Sequence, residues 1–335
     1  MNDTRGDNHF GCVRVMRMIE ANLAVRGITV LARSMVRTNW EKNRSFLEAM
    51  ANSDLIVING EGTLHHGSRH GERLLKVVNH PARANKPVAL INALYQDNPE
   101  HWGRYLEKMS LISTRDSRSA AAVTEASGLS VDVVPDLSLS AGAEPRPGML
   151  VRDRLLIGDS VSRNVSASLL ALRDMHPEAY FLPILRTIKP SKPHFPLPLR
   201  LLRQGYIELH ARAFALSENR VLYSRSEPEF IAALRRGRLH VTGRFHAICF
   251  CLFTRTPFLA VGSNSWKIEA LLEDFGLGKR RLVTQDQVAT HLEAPDELAF
   301  TDEEQRAITA GLTMSHNRTA RLFDRLKEIA VNGTA

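Results

Sequence analysis

Two basic side chains, Arg244 and His246, flank Phe245 in the segment VTGRFHAICF, residues 241 to 250. The apolar run after them is typical of a buried helix, and the strand-like residues before them place both cations at the N-terminus of that helix. A guanidinium group, an imidazole and the free amides of a helix start all favour a bound anion. The segment therefore predicts an anion-binding site that contains a group titrating near neutral pH.

Two other segments place polar and basic groups directly after apolar strands. They carry Ser160, Ser162 and Arg163 in LLIGDSVSRN, and Ser263, Asn264 and Lys267 in PFLAVGSNSWK. Taken alone, each segment is also typical of a strand-to-helix turn with a capping side chain, and for LLIGDSVSRN that turn is the better interpretation. Together with Arg244, they predict one cationic site for a phosphate or carboxylate.

A second group of candidates lies in the segment DLIVINGEGTLHHG in the first half of the chain. They are Gly60, Glu61, Gly62, Thr63, His65 and His66. Glycines at a strand end let the backbone approach a ligand closely, and a carboxylate beside imidazoles can move protons. The structural alternative is a tight strand-to-helix turn capped by Thr63, followed by a solvent-facing histidine pair.

The charge balance favours anionic ligands. Among 335 residues, 44 are lysine or arginine and 36 are aspartate or glutamate, giving a formal net charge of +8. Phosphates, acidic sugars and anionic lipid headgroups fit this balance. Nucleic acid is disfavoured, because the chain has no lysine-rich run, no zinc-ligand spacing and no basic strand interleaved with aromatic residues.

Cysteine usage and hydropathy indicate a cytoplasmic protein. Cys12, Cys249 and Cys251 are odd in number, and the last two are too close in sequence for an unstrained disulfide, which predicts a reducing compartment. No stretch reaches the roughly 18 uncharged apolar residues of a membrane span, and no secretory signal is evident. Peripheral contact with the inner face of a membrane is compatible with the sequence.

Apolar runs alternate with amphipathic segments, which predicts parallel sheets covered by helices. The predicted strands are 28–33, 54–60, 87–93, 110–115 and 131–136, then 154–160, 179–185, 220–225, 239–243, 257–263 and 281–284. Helices are predicted up to Gly27, up to Gly128 with Ser117 or Ser119 as its cap, and over the C-terminal run with a break near Gly311. Proline-rich residues 186–200 predict a surface loop.

These elements predict an α/β fold with two Rossmann-like lobes, residues 1–140 and 148–335. A linker rich in Pro and Gly lies near residues 137–147, and we expect the C-terminal helix to pack back on the first lobe. Ligands of open α/β sheets bind at the carboxyl ends of the strands. A central cleft should therefore hold the candidate residues.

Five motifs in this order resemble the polysaccharide pyruvyl transferase family. They are GEGTLHH, TRDSRSAAAVTEASG, VVPD, SVSR and GRFHAICFCLFTRTPFLAVGSNSWK, and they extend from about Asn8 to Leu277. The resemblance implies a GT-B-like fold and transfer of a pyruvyl group from phosphoenolpyruvate to two hydroxyls of a sugar. The product would be a cyclic ketal in cell-envelope, capsular or exopolysaccharide synthesis. The acceptor would be a lipid-linked or nucleotide-linked glycan, and neither a metal nor a further cofactor is expected.

The resemblance assigns a role to each candidate. Arg244, Arg163 and Lys267 would clamp the donor anion, together with Ser160, Ser162, Ser263 and Asn264. His246 would protonate the methylene carbon, and His65 and Glu61 are candidate bases for the sugar hydroxyl. Gly60, Gly62, Thr63 and His66 would lie on the acceptor side. Two alternatives are a GT-B-like glycosyltransferase that uses an activated acidic sugar, and a non-catalytic glycan-binding or assembly protein.

Overall fold

The computed structural model describes residues 1–142, 151–185, 195–217 and 220–332. Within these ranges the chain forms two parallel β-sheets covered by helices, which confirms the predicted fold class. The chain divides into two compact units, one around each sheet. The first unit contains Met1–Gly6, Val15–Ser140 and Ser315–Ala335, and the second contains Asp7–Arg14 and Ala141–Met314. Asp7–Arg14 therefore belongs to the second unit, although the sequence placed it in the first lobe.

The sheet of the first unit has the strand order β1-β2-β3-β4. Its strands are β1 (Ile56–His65), β2 (Val88–Gln96), β3 (Leu111–Thr114) and β4 (Asp132–Val133). Helices α1 (Phe10–Val25) and α2 (Arg44–Ala51) precede these strands, and α3 (Arg69–Leu75), α4 (Gly103–Leu106) and α5 (Ser117–Ser127) lie between them. Strand β2 is buried along nearly its whole length, as expected for a parallel strand covered on both faces.

Helix α5 shows how local sequence sets the bounds of an element. It ends at Gly128, which adopts a φ of +70° that favours glycine, as predicted. Its cap is Asp116 rather than a serine, because the Asp116 carboxylate accepts hydrogen bonds from the Ser119 backbone N–H at 2.7 Å and from the Ser119 hydroxyl at 2.9 Å. The prediction of a serine cap was wrong.

Two predicted strands do not form. Residues 28–33 lie outside the sheet, where Ile28 and Val30 pack against the core without pairing their backbone in a ladder. Residues 220–225 make a single bridge, from Val221 to Phe181. In residues 28–33 the apolar side chains that suggested a strand are satisfied by packing against the core.

The sheet of the second unit has the order β6-β5-β7-β8-β9. Its strands are β5 (Arg154–Ser160), β6 (Ala179–Phe181), β7 (Gly237–Gly243), β8 (Phe258–Val261) and β9 (Leu282–Val283). The remaining helices are α6 (Arg163–Met175), α7 (Leu197–Ser217), α8 (Glu227–Arg235), α9 (Phe245–Thr254), α10 (Lys267–Asp274), α11 (Gln285–Leu292) and α12 (Asp302–Asn332). All ten residues of α9 are buried, as its apolar sequence predicts.

Three further predictions concern segments between these elements. Helix α12 is continuous, so the predicted break is wrong. Gly311 instead meets the ring of Phe275, and a Cβ atom there would lie 2.5 Å from that ring. The loop predicted over 186–200 is wrong from Leu197 onward, where α7 begins, and residues 186–194 lie outside the described residues. Of the predicted linker, residues 137–139 form a short 3₁₀ helix and residues 143–147 also lie outside the described residues.

Candidate functional site

Three candidate segments of the second unit follow neighbouring parallel strands. Strand β7 pairs with β5 on one side and with β8 on the other. At its carboxyl end Gly243 lies opposite Ser160, and a Cβ atom at Gly243 would lie only 2.5 Å from Ser160 Oγ. Glycine therefore allows the two strand ends to approach. The segments that follow, including those of Arg244 and Lys267, leave the same edge of the sheet.

Arg244 is held by a carboxylate of the neighbouring strand. Its Nε donates a hydrogen bond to Asp159 Oδ2 at 2.6 Å, and Asp159 Oδ1 accepts from the Ile184 N–H at 3.2 Å. The Arg244 N–H donates to Thr242 Oγ1 at 3.1 Å. The sequence argument favoured a ligand over an ion pair as the partner of Arg244, and the structure provides an ion pair with Asp159. Because the pair uses Nε, the two terminal nitrogens of Arg244 carry its other donors.

The start of the chain contributes to this site through Asp7–Arg14. The Phe10 N–H donates to the Ile184 carbonyl at 3.3 Å, and the Phe10 ring contacts Phe230 with centroids 5.5 Å apart. Arg14 forms a buried ion pair with Glu227, with Nη1 2.7 Å from Oε1. These contacts fasten the first turn of α1 to the second unit and define the position of His9.

His9 lies against His246. Their ring centroids are 5.2 Å apart in an edge-to-face arrangement. Gly11 also faces this imidazole, since a Cβ atom at Gly11 would lie 2.2 Å from His246 Cγ. The Gly11 N–H donates to His9 Nδ1 at 3.1 Å, so a neutral His9 carries its proton on Nε2. Sequence reasoning missed His9, although a histidine and a glycine in the polar stretch before an apolar helix were visible.

Burial and nearby positive charge keep His9 neutral. Burial is the main cause that lowers the pKa of His9 well below its ordinary value, and the charges of His246, Arg244 and Lys267 lower it further. These cations are thus close enough to His9 to act on it electrostatically. The surroundings of His9 disfavour positive charge and favour an anion.

His9, Cys12 and His246 could also be considered as metal ligands. Their ligand atoms lie within 4.8 Å of one another, all three residues are buried, and their types suit zinc. However, Arg244 and Lys267 act on the same place, and His9 and His246 lie at the N-terminal ends of α1 and α9, where helix dipoles are positive. Coordination through His9 Nδ1 would also displace the hydrogen bond from Gly11. We therefore interpret the cluster as part of an anion site.

Of the candidates after β5, the two serines make hydrogen bonds within the turn, and the arginine is exposed. Ser162 caps α6, its hydroxyl accepting from the Val165 N–H at 3.5 Å, and Ser160 Oγ accepts from the Ser162 N–H at 3.3 Å. Arg163 is exposed in the first turn of α6. The turn geometry that the sequence offered as the alternative is therefore present here, together with an exposed cation.

The candidates after β8 form a small polar network. Lys267 Nζ donates to Asn264 Oδ1 at 2.9 Å, and Ser263 Oγ donates to the same oxygen at 3.2 Å. Asn264 thus orients Lys267 in the first turn of α10. Lys267 is half-buried as a residue, and its hydrogen bond to Asn264 lies at the exposed surface.

In the first unit, the glycine-rich segment is part of a strand rather than a turn. Strand β1 continues to His65, with a register shift between Glu61 and Leu64, so the predicted end of the strand near Gly60 was wrong. Gly60 packs on β2, where a Cβ atom would lie 2.8 Å from the Ala93 backbone. Gly62 has open space beside it, since a Cβ atom there would meet no atom within 4 Å.

Glu61 and Thr63 are held inside this irregular strand. Glu61 is buried, accepts from Asn59 Nδ2 at 3.2 Å, and has a φ of +38°, which favours glycine. The irregular backbone here agrees with the glycine-rich pattern that the sequence resembles. Thr63 Oγ1 accepts from Asn2 Nδ2 at 3.0 Å, and Ser68 rather than Thr63 caps α3.

His65 and His66 pack edge to face, with ring centroids 5.0 Å apart. His66 Nδ1 lies 3.4 Å from Asp97 Oδ2, and both side chains are exposed. His66 is therefore solvent-facing, as the structural alternative from the sequence expects, whereas His65 is half-buried and its Nδ1 atom is buried. The role of His65 as a base stays a prediction.

The charged residues Arg115 and Asp136 of the TRD and VPD segments have structural partners. Arg115 Nη1 lies 3.4 Å from Asp136 Oδ2 in a fully buried pair. Asp136 Oδ1 also accepts from the Ser138 N–H at 2.9 Å and so caps the 3₁₀ helix that follows. The TRD and VPD segments thus tie the ends of β3 and β4 together.

Comparison with known proteins supports this description. Residues 21–265 match the family described as polysaccharide pyruvyl transferase. No curated protein matches the chain by sequence. Among solved structures, the Anabaena protein Alr3699/HepE in complex with UDP and glucose aligns with a TM-score of 0.53 and 13% identity, over 93% of this chain and 96% of that one.

Two further solved structures share the fold. The UDP-GlcNAc 2-epimerase of Methanocaldococcus jannaschii has a TM-score of 0.50 and 10% identity, over 94% of this chain and 96% of its own. Glycyrrhiza uralensis UGT73P12, solved with glycyrrhetinic acid 3-O-monoglucuronide, has a TM-score of 0.51 and 9% identity, over 97% and 89%. At these identities the similarity establishes the fold, which is GT-B-like as predicted, and not the substrate.

Proposed function

Because this chain belongs to the polysaccharide pyruvyl transferase family, we propose that it transfers the pyruvyl group of phosphoenolpyruvate to two hydroxyls of a sugar. The supporting observation is the group formed by Arg244, His246, His9 and Lys267 in the second unit. It combines an oriented guanidinium, two imidazoles and an ammonium group hydrogen-bonded to Asn264. Phosphoenolpyruvate, which carries a phosphate and a carboxylate, fits such a site by charge.

Arg244 is proposed to bind the donor through its terminal nitrogens. Asp159 holds Nε at 2.6 Å, so the plane of the guanidinium is fixed before a ligand arrives. A fixed plane suits bidentate contact with a carboxylate or phosphate. Lys267, oriented by Asn264, would supply a second positive charge. His9 would donate from Nε2 to the same anion.

His246 is proposed as the acid. Its protonated ring would give a proton to the methylene carbon of phosphoenolpyruvate, forming the methyl group, while the C2 centre becomes open to attack by a sugar hydroxyl. The C2–O bond to phosphate then breaks and the second hydroxyl oxygen bonds to C2. Of the two hydroxyl protons, one replaces the proton that His246 donated and the other leaves with inorganic phosphate.

The acceptor hydroxyls need a base, and Glu61 and His65 of the first unit remain our candidates. Gly60, Gly62, Thr63 and His66 would line the acceptor side. We propose a lipid-linked or nucleotide-linked glycan as acceptor, in envelope, capsular or exopolysaccharide synthesis in the cytoplasm. The scheme uses side chains of the protein throughout and calls on neither a metal nor a cofactor.

Phosphate release from phosphoenolpyruvate in the presence of candidate acceptor glycans tests this proposal. His246→Gln should reduce release about 10²- to 10⁴-fold, the usual contribution of a positioned acid. His291→Gln, which changes a histidine of α11 in the same unit, should leave release unchanged. Mass spectrometry should show the acceptor heavier by one ketal-linked pyruvate.

The alternative is sugar transfer from a nucleotide-linked donor, which the complex of the Anabaena protein with UDP and glucose makes worth testing. Release of a nucleoside diphosphate from such a donor, with no phosphate release from phosphoenolpyruvate under any acceptor, would replace pyruvyl transfer by glycosyl transfer. Unchanged glycan output in cells carrying Arg244→Ala and His246→Ala would instead indicate a non-catalytic role.

A further inference from the structure

Helix α7, Leu197–Ser217, exposes an unusual amount of apolar surface. Among the described residues, 13 large apolar side chains are strongly exposed, and seven of them lie on this one helix. The seven are Leu197, Leu199, Leu201, Leu202, Tyr206, Leu209 and Leu216. Scattered exposed apolar residues need no explanation, but a concentration on one element marks an interaction surface.

The exposed side chains form a stripe along the helix. Leu202, Tyr206, Leu209 and Leu216 follow one another at spacings of four, three and seven residues, which places them on one face. Ile207 is fully buried, so a different face of the helix is packed against the protein. The packing of Ile207 therefore leaves the stripe facing solvent.

Basic groups border this stripe. The guanidinium of Arg203 lies 5.6 Å from the centre of the Tyr206 ring, and the His210 ring centroid lies 6.0 Å from that of Tyr206. Arg200 and Arg212 are exposed on the same helix. The one acidic residue of α7, Glu208, accepts a hydrogen bond from Gln204 at 3.1 Å. Apolar side chains bordered by arginines are typical of helices that lie in a membrane interface.

We propose that α7 docks this protein on the surface of a bilayer that contains anionic lipids. The leucines would enter the boundary between headgroups and acyl chains, and the arginines would pair with lipid phosphates. Among the described residues no helix is both long and apolar enough to cross a membrane, so α7 would lie in the plane of the interface. The formal net charge of +8 on the chain adds long-range attraction to an anionic surface.

A second copy of the chain is a poorer occupant of this face. Two copies related by a twofold axis would bring Arg200, Arg203 and Arg212 of each chain toward the same basic residues of the other. Like charges placed opposite one another oppose association. An anionic lipid surface has the opposite charge and accepts leucine at the same time. This docking does not depend on the donor that the enzyme uses.

Co-sedimentation of the full chain with vesicles tests the proposal. One set of vesicles contains phosphatidylcholine and phosphatidylglycerol in equal parts, and the other contains phosphatidylcholine alone. We expect binding to the mixed vesicles that weakens in high salt and without phosphatidylglycerol. Leu202→Gln/Leu209→Gln should weaken binding to the mixed vesicles about a hundredfold, about tenfold for each leucine.

Matched variants separate this helix from general surface effects. Val25→Gln/Met175→Gln removes two apolar side chains that are 84% and 73% exposed elsewhere, and should bind the vesicles as the wild type does. Arg200→Gln/Arg212→Gln should weaken binding to the mixed vesicles about fivefold for each arginine. Arg44→Gln/Arg104→Gln, which removes two exposed arginines of the first unit, is the matched charge control.

Three results would overturn the proposal. They are no sedimentation of the wild type with the mixed vesicles, equal binding by the leucine variant, and a dimer in sedimentation velocity that the leucine variant dissociates. The last would assign the stripe to a second copy. Phosphate release in solution is measured separately, so failure of vesicle binding is distinguishable from failure of pyruvyl transfer.

Discussion

Replacing Asp159 with asparagine should weaken phosphoenolpyruvate binding through its effect on Arg244. Asp159 Oδ2 accepts from Arg244 Nε at 2.6 Å, and Oδ1 accepts from the Ile184 N–H at 3.2 Å. Asparagine retains one oxygen for Ile184, but its NH₂ group would then face Arg244 Nε, donor against donor. The guanidinium would lose the partner that fixes its plane.

The size of the effect follows from the nature of this contact. A hydrogen bond to a charged group contributes about 1.5–3 kcal/mol. The side chains of Arg244 and Asp159 are only 16% and 10% exposed, so solvent screens the pair weakly. If about 2 kcal/mol of this energy is lost from donor binding, the Kd for phosphoenolpyruvate rises about 30-fold.

Calorimetric titration with phosphoenolpyruvate measures this change directly. Arg244→Lys should also weaken binding strongly, because a point charge cannot reproduce the planar fork. If Asp159 acts through Arg244, the double variant should bind no more weakly than Arg244→Lys alone. Asp153→Asn is the matched control, since Asp153 pairs with Arg236 at 2.5 Å in the same unit but outside the site.

Two outcomes would refute this reasoning. An unchanged Kd in Asp159→Asn, with the fold intact by circular dichroism, would show that Arg244 is oriented without its carboxylate. Fully additive losses in the double variant would show that Asp159 contributes independently of Arg244. Either result would remove Asp159 from the positioning of the donor.

Three further predictions test other parts of the structure. Gly11→Ala should abolish phosphate release, because its Cβ atom would lie 2.2 Å from His246 Cγ, whereas Gly278→Ala, with open space around it, should retain release. Glu304 pairs with the fully buried Arg281, and its pKa is lowered to about 2 although burial alone would raise it. Its stabilisation is therefore complete above the unfolded pKa of 4.5 and is lost as the pH falls toward 2. In urea unfolding, Glu304→Gln should cost about 3 kcal/mol at pH 7 and little at the acid end, and an equal cost at both would contradict the assignment. Treatment with EDTA should leave phosphate release unchanged. If EDTA abolished phosphate release and zinc restored it, His9, Cys12 and His246 would be metal ligands.

Most strands could be predicted because a parallel strand covered on both faces is a continuous apolar run. This signal located β1, β2, β3, β5, β7 and β8. The same signal failed at residues 28–33, where Ile28 and Val30 are apolar for packing rather than for pairing. An apolar run indicates that a segment is buried. A β-strand also needs the backbone of a neighbouring strand with which to form hydrogen bonds. Gly311 shows the same limit, because the packing of Phe275 and not a helix break requires it.

The candidate site was predictable only where its residues are close in sequence. Arg244 and His246 are two residues apart at a helix start, so a local pattern exposed them. Asp159 is 85 residues from Arg244, and His9, near the first residue of the chain, is even farther in sequence from His246, so no local spacing could reveal either contact. The same distance explains why the sequence could not name the ion-pair partner of Arg244.

The charges of these residues suggest how donor binding and acid catalysis are connected. In the proposed donor pocket, Arg244 is paired with Asp159 and His9 is neutral, so these two basic groups add little net charge before the donor arrives. Such a pocket limits the cost of burying cations. A bound phosphate and carboxylate would then bring negative charge beside His246, and negative charge favours the protonated form of an imidazole. The bound donor would thereby favour the protonated form of the ring that is proposed to deliver the proton. If His9 were also positively charged, repulsion between the two rings would oppose this effect.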